Sequence, residues 1–425
     1  VRKDGGGLKP YQLRQSAEDE TPVKDSKAPK RSRVLAAVFD VAHGEDDKAK
    51  RARFKKTAYR SEFAERARVA IDAKQLSIGG ERFDLPAELQ DAFPLLEPDE
   101  QLLAWTYAGV KGEATTLISA SPGIEAGDKV EWLLKATKTK HRRVTIDPTM
   151  TIEALTGGLR PGPDGRIRPE SGPLTDMLEQ GGVLVVDGAH LGDRELLARL
   201  KTLAEGADRF DHPKSGQLID VHPEFRLVLL TETSRPTPRP LQEIASRLAT
   251  TTHLRGYTRD EHMRLLTDRH GLSASLASRL AAFHEAVVAK EGDGELDYGR
   301  TFPLTWALLD RVGARLANDP DPTDETLSRT LQALYGERLT KEEDQLAFQE
   351  LLVEQQLPQV SDDDFQPVKT SKDYVDMTST TRALSVAKEA LDNRETVLLN
   401  APGQAGAPRL VDALAASRKQ DLVTI

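Results

Sequence analysis

Gly172-Pro-Leu-Thr-Asp-Met-Leu-Glu-Gln-Gly181 followed by Gly182-Val-Leu-Val-Val-Asp187 is the stretch whose reading decides the fold. A continuous apolar run bounded by glycines is how a parallel strand buried on both faces is written. Asp187 ends that run at the carboxyl edge of the expected sheet, where open α/β folds place their ligands. An acid there can hold a cation or simply cap the next turn. The following residue is Gly188, so the carboxylate that a general base at this point would need is missing. Working outward, Arg194-Glu-Leu-Leu-Ala-Arg-Leu200 reads as a helix. Arg209 to Val221, turning at His212-Pro-Lys-Ser-Gly216, reads as a hairpin. Phe225-Arg-Leu-Val-Leu-Leu230 is a second buried strand, and Pro240-Leu-Gln-Glu-Ile-Ala-Ser-Arg247 a helix.

Bulk composition limits the alternatives. The chain has 425 residues, more than one typical domain, with 38% hydrophobic and 30% charged residues, which predicts much solvated helix surface. A net charge of −9 argues against a general nucleic-acid binder. With no cysteine, disulfides and thiolate metal sites are excluded. No segment reaches the roughly 20 apolar residues needed to span a bilayer, and no signal-peptide core opens the chain. A cytoplasmic setting is the expectation, and the first residue, Val1, suggests a fragment or a processed chain.

The pattern divides the chain into five regions. Residues 1–84 read as a charged arm and, from Arg33 to about Lys74, a helix. Its basic middle (Lys48, Lys50, Arg51, Arg53, Lys55, Lys56 and Arg60) is either a solvated face or a dock for an acidic partner. Residues 85–256 alternate helix and strand: a helix over Glu100–Val110, a strand Thr115-Thr-Leu-Ile-Ser119, a loop, a helix from Asp128, and a strand Arg143-Val-Thr-Ile-Asp147. Gly157 to Gly172 projects as a hairpin or insert. Residues 257–356 are helical throughout, a lid after an α/β unit. Residues 357–379 form an acidic link through Asp362-Asp-Asp364. In 380–425 the order helix, strand Thr396–Asn400, loop, helix and strand Leu422–Ile425 begins again. That repeats the first unit after roughly 280 residues, which points to tandem modules.

A phosphate-cradling loop needs glycines for its turned N–H groups, a Lys for the phosphates and a Ser or Thr for magnesium. Ser121-Pro-Gly123-Ile-Glu-Ala-Gly127-Asp-Lys129-Val130 has the strand before it and the helix after it. However, Asp128 separates Gly127 from Lys129, Val130 has no hydroxyl, and Glu125 and Asp128 would repel phosphate. The loop is either such a cradle or a turn that only connects strand to helix. In the later copy, Gly403 and Gly406 precede Arg409 with no Lys, and Pro408 removes an N–H. Thr231 and Glu232 occupy the place where a polar side chain would orient a water. Arg247 suits either a finger reaching a neighbour's nucleotide or a surface position at a helix end. The histidines show no metal-ligand spacing.

These residues resemble the AAA+ superfamily, in its dynein-related and midasin-like branch, with the MoxR ATPases more distant. The resemblance runs through Gly172–Leu178, Gly182–Asp187, His222-Pro-Glu-Phe-Arg-Leu227 and Pro240–Arg247. It continues into Phe302-Pro-Leu-Thr-Trp-Ala-Leu-Leu-Asp-Arg311 and Leu334-Tyr-Gly-Glu-Arg338. It covers about 95–355 and resumes at 380–425. It implies a P-loop NTPase-type parallel sheet with helices on both faces, an all-helical lid and the start of a second AAA+ module. It also implies ATP or ADP with Mg²⁺, held by Gly123, Gly127, Lys129 and Asp187, with Asp187 as the metal ligand. Thr231 or Glu232 would be the sensor and Arg247 the finger, with Thr305 where a sensing Arg usually stands. The partners implied are other AAA+ modules in a ring and a protein or ribonucleoprotein cargo, with no membrane.

Three readings follow. One is a degenerate AAA+ module, structural or regulatory, in a larger mechanochemical protein. Another is a working ATPase that depends on Lys129, Asp187 and Arg247. The third is a platform that docks an acidic partner through residues 48–60.

Overall fold

Continuous burial along the central strands explains why this chain builds a two-sided sheet. In the computed structural model, residues 68–72, 74–90, 95–112, 115–161, 167–213, 215–233, 237–247, 251–298, 304–317, 322–365, 368, 378–399 and 407–418 are described. Strands β1 (Val69–Ile71), β2 (Gln75–Ile78) and β3 (Glu81–Asp84) form an antiparallel meander. The helical pattern expected up to Lys74 therefore gives way to strand by Val69. Val69, Leu76 and Ile78 pack on Leu103 and Tyr107, and that burial outweighs the local helical periodicity. The basic segment 48–60 lies outside the described residues.

Helix α1 (Glu97–Lys111) leads to β4 (Thr116–Ala120), α2 (Ala126–Ala136) and β5 (His141–Thr145). Next come α3 (Ile152–Thr156), a hairpin of β6 (Gly157–Pro161) and β7 (Ile167–Ser171), α4 (Pro173–Gln180) and β8 (Gly182–Asp187). After α5 (Arg194–Ala204), a second hairpin pairs β9 (Arg209–Asp211) with β10 (Leu218–Asp220). Strand β11 (Phe225–Glu232), α6 (Arg239–Arg247) and β12 (Thr251–Leu254) complete this unit.

The main sheet has five parallel strands in the order β12-β4-β11-β8-β5. Within β8, Leu184 and Val186 join a core with Leu174, Leu178, Leu196, Leu200 and Leu241. Val183 and Val185 join the opposite core with Leu102, Val130 and Leu134. Helices therefore cover both faces, as a parallel sheet of continuous apolar strands requires. Chain direction reverses between β4 and β11, because β4 connects toward β5 and β11 connects back to β12. The crevice between their carboxyl ends is the topological switch point. Strand β12 escapes sequence reading: four residues, Thr-Thr-His-Leu, three of them polar, at an edge of the sheet.

A helical unit follows, built from α7 (Arg259–His270), α8 (Ala274–Gly292), α9 (Trp306–Leu316), α10 (Asp324–Leu334) and α11 (Glu342–Glu354). Its core includes Leu266, Leu280, Phe283, Leu309, Leu331, Tyr335 and Phe348. Helices α12 (Thr378–Asp392) and α13 (Ala407–Arg418) come last and share a small core through Leu384 and Leu414. Between them, Thr396–Leu399 of the stretch expected as a strand, Thr396–Asn400, has no ladder partner among the described residues. Asn400 and the expected neighbour, 422–425, lie outside them, and without a ladder the run is not a strand. The Arg315 guanidinium, almost wholly buried, grips Glu395 through two bonds of 2.9 Å and Glu389 at 3.3 Å, tying α9 to the end of α12.

Candidate functional site

The carboxyl ends of β4 and β8 meet the start of α2, and of the residues expected to carry chemistry Gly127 and Asp187 come together there. From Ala120 the chain turns through Ser121–Glu125 into α2. Ser121 is held there by its N–H and Oγ, both bonded to Leu254 O of the neighbouring strand, at 3.0 and 3.1 Å. Gly123 has φ +89°, a conformation open to glycine. Glu125, the residue before α2, is also left-handed (φ 54°, ψ 43°), which costs a side-chain-bearing residue energy. Pro122 contributes no N–H, so the loop has one donor fewer than its length suggests.

Asp187 closes β8 at this edge, and its carboxylate is engaged. Arg143, two strand positions before the end of β5, places Nη2 2.6 Å from Asp187 Oδ2. Its Nη1 bonds Asp128 in the first turn of α2 and lies 3.4 Å from Glu131 Oε2. Burial works against this charge, but the hydrogen bonds it donates to Asp128 and Asp187 more than offset that, so the guanidinium pKa stands above its ordinary value. These side chains lie directly on Gly127: a Cβ built there would overlap both Arg143 Nη2 and Asp187 Oδ2. Gly127, Asp187, Asp128 and Arg143 thus form one cluster over the positive end of α2.

Lys129 belongs to a different cluster. It is 6% exposed, and its Nζ lies 2.6 Å from Asp99 Oδ1 and bonds the Tyr257 hydroxyl. Tyr257 Oη donates to the same Asp99 oxygen at 2.8 Å, and Leu96 N–H donates to Oδ2 at 3.1 Å. Burial raises the Tyr257 pKa and the charge of Asp99 raises it further, so the phenol keeps the proton it donates. Val130, next to Lys129, is fully buried in the sheet core.

The helical unit touches the loop directly. A Cβ on Gly123 would lie 2.9 Å from the Trp306 backbone nitrogen and 3.1 Å from Thr305 Cβ, so the start of α9 abuts the loop with a neutral residue. Trp306 stacks on His262 with ring centroids 5.7 Å apart, and His262 meets His284 at 5.1 Å. Burial pushes the His262 pKa down to about 4, against a smaller upward pull from Glu261. His284 falls to about 3, chiefly through burial and also through His262.

The remaining candidates lie at the end of β11, at the end of α6 and directly after Asp187. Glu232, the last residue of β11, is exposed, and its backbone N–H donates to His190 Nδ1 at 3.3 Å. Thr231 is buried within the strand. Arg247 is the last residue of α6. Gly188 is left-handed (φ 73°, ψ 30°) and opens a single 3-10 turn over Ala189–Leu191. No group of acids and histidines that could hold a metal ion is present among the described residues. No helix among them is long and apolar enough to cross a membrane. Gly403 and Gly406 lie outside the described residues.

Sequence reading missed Arg143, Asp99 and Tyr257. A signal for Arg143 was there, since His141-Arg-Arg143 puts three polar residues into a strand of a sheet whose central strands are apolar. Asp99 and Tyr257 carry no such mark, because only the tertiary fold brings them to Lys129.

Comparison with known proteins agrees with the fold. Residues 129–249 match the family described as the AAA domain of the dynein-related subfamily. A crystal structure of a candidate ATPase from Cytophaga hutchinsonii is similar at 13% identity, covering 40% of this chain and 48% of its own, with a TM-score of 0.30. The chain thus spans about half the length of that structure. Among curated proteins, none matches. A two-sided parallel sheet, a helical unit behind it and the match over 129–249 identify the α/β unit of this chain as an AAA+ domain of the dynein-related branch.

Proposed function

We propose that this AAA+ domain serves as a structural or regulatory module, one that does not hydrolyse nucleotide, within a larger remodelling protein. AAA+ domains as a family bind nucleotide with Mg²⁺ and assemble into rings. The residues here do not fit that ligand. The observation that carries this reading is the Arg143 guanidinium bonded to Asp187 and Asp128 over the first turn of α2. A phosphate would need those turned N–H groups, and Mg²⁺ would need a free carboxylate with a hydroxyl beside it. The chain's own cation already neutralises the carboxylate, and Val130 supplies no hydroxyl. Lys129 is spent on Asp99, and Gly188 has no carboxylate to act as base. The family match begins at Lys129 and leaves Ser121–Asp128 outside it.

The multi-module character rests on the sequence order of 380–425, which repeats that of the first unit, and on the helices α12 and α13, which fall where α1 and α2 fall in that order. A ring of modules and a protein or ribonucleoprotein cargo follow from the family alone. Docking of an acidic partner would fall to residues 48–60.

Calorimetric titration of the full chain with ATP or ADP and Mg²⁺ tests the reading. The expected result is no heat at millimolar nucleotide. Micromolar binding accompanied by phosphate release would overturn it in favour of a working ATPase.

A further inference from the structure

We infer that Lys129 is the pin of a latch that fixes the helical unit against the sheet, rather than a ligand-binding residue. Lys129 and its two partners come from three separate parts of the fold. Asp99 sits in the first turn of α1, Lys129 in α2, and Tyr257 in the stretch Arg255–Thr258 that joins β12 to α7. Asp99 is fully buried and accepts from Lys129, Tyr257 and Leu96, so the carboxylate is satisfied on both oxygens. A buried ion pair holds only when its geometry and accessory hydrogen bonds are this complete, and removal of either partner strands the other charge.

The latch continues into the helical unit. The Lys129 ammonium lies 5.2 Å from the centre of the Tyr257 ring. That ring packs edge-on against Trp306 at 6.4 Å, and Trp306 stacks on His262. One residue before Gly256, Arg255 ties Glu97 of α1 to Glu261 of α7, at 2.7 and 2.6 Å. The joining stretch is thus clamped on both sides, and Trp306 also braces Gly123 of the loop. An ammonium free to meet phosphate would have to abandon Asp99 in an apolar interior. The inference goes beyond the proposed function and stands whether or not nucleotide binds in the crevice.

The test uses the full chain with Lys129→Met, Asp99→Asn, the double variant and Tyr257→Phe, followed by thermal unfolding and hydrogen exchange. Each of the first two should lower Tm by on the order of 10 °C, and the double variant should lose much less than their sum. Tyr257→Phe keeps the ring on Trp306 and removes one hydroxyl, so it should fold even if Lys129→Met does not. In Tyr257→Phe, amides of Ser121–Glu125 and Arg255–Thr258 should exchange at least ten times faster, while those of Thr330–Leu334 stay unchanged. Additive losses, or exchange that rises uniformly across the molecule, would overturn the latch. Nucleotide titration of wild type and Tyr257→Phe separates the two claims. Binding with the coupling intact would sink the proposed function and leave the latch. Absence of both binding and coupling would do the reverse.

Discussion

Arg143 and Asp187 stand on neighbouring parallel strands, and their side chains meet at 2.6 Å over a helix start where neither strand alone would place a cation. Asp128 of that helix closes the group from the other side. Arg143→Met should therefore leave the partly buried Asp187 carboxylate uncompensated, while Asp128, which is exposed, stays solvated. The expected loss is about 1–3 kcal/mol, read by urea unfolding. The change should not create nucleotide binding, because Lys129 stays with Asp99. Calorimetry on the same variant checks that.

Gly188→Glu would look like the repair of a lost catalytic base. The backbone there is left-handed, and a Cβ would lie 3.2 Å from Ile146 O. Expected are a loss of about 1–2 kcal/mol and no phosphate release above the wild-type background. A gain in turnover would show that the strand end can rearrange.

Acid should weaken the helical unit through its two buried histidines. Folded, His262 and His284 stay neutral down to about 4 and about 3, whereas unfolded histidine takes up a proton near 6.5. Between those values the unfolded state binds more protons, so stability falls as pH falls. It should drop by up to about 1.4 kcal/mol per pH unit for each histidine, and these groups should have no effect above neutrality. Denaturation midpoints from pH 7 to pH 4.5 measure the slope, and His262→Phe should flatten it. An unchanged slope would place the titration elsewhere.

Arg315→Ala should loosen α12 and α13 from the helical unit. It strands Glu395 beside a vacated, almost fully buried position, at a local cost of about 3–5 kcal/mol. Faster proteolysis within α12, with α7 and α8 still protected, is the expected pattern.

Most of the architecture was legible because burial on two faces writes itself as uninterrupted apolar runs. Val183–Val186 and Leu227–Leu230 are of that kind, and each was read as a strand. The helices of 259–354 carried their own period of apolar residues. What escaped was set by distance in sequence. Lys129 and Asp187 could be named from local pattern, but their partners could not: Asp99 is 30 residues from Lys129, and Arg143 is 44 from Asp187. Val69–Ile71 and Thr251–Leu254 were missed for another reason. They are short, and ladder pairing rather than composition makes them strands.

Strand β5 carries one more consequence of His141-Arg-Arg143. It lies at an edge of the five-stranded sheet, with no strand paired on its outer side among the described residues. Such an edge invites another chain to add on, and natural sheets guard against this with charge. Arg143 turns to Asp187, and Arg142 stays exposed. Two adjacent residues thereby do unrelated jobs: one fastens the interior of the crevice, and the other keeps the outer border of the sheet from recruiting a stranger.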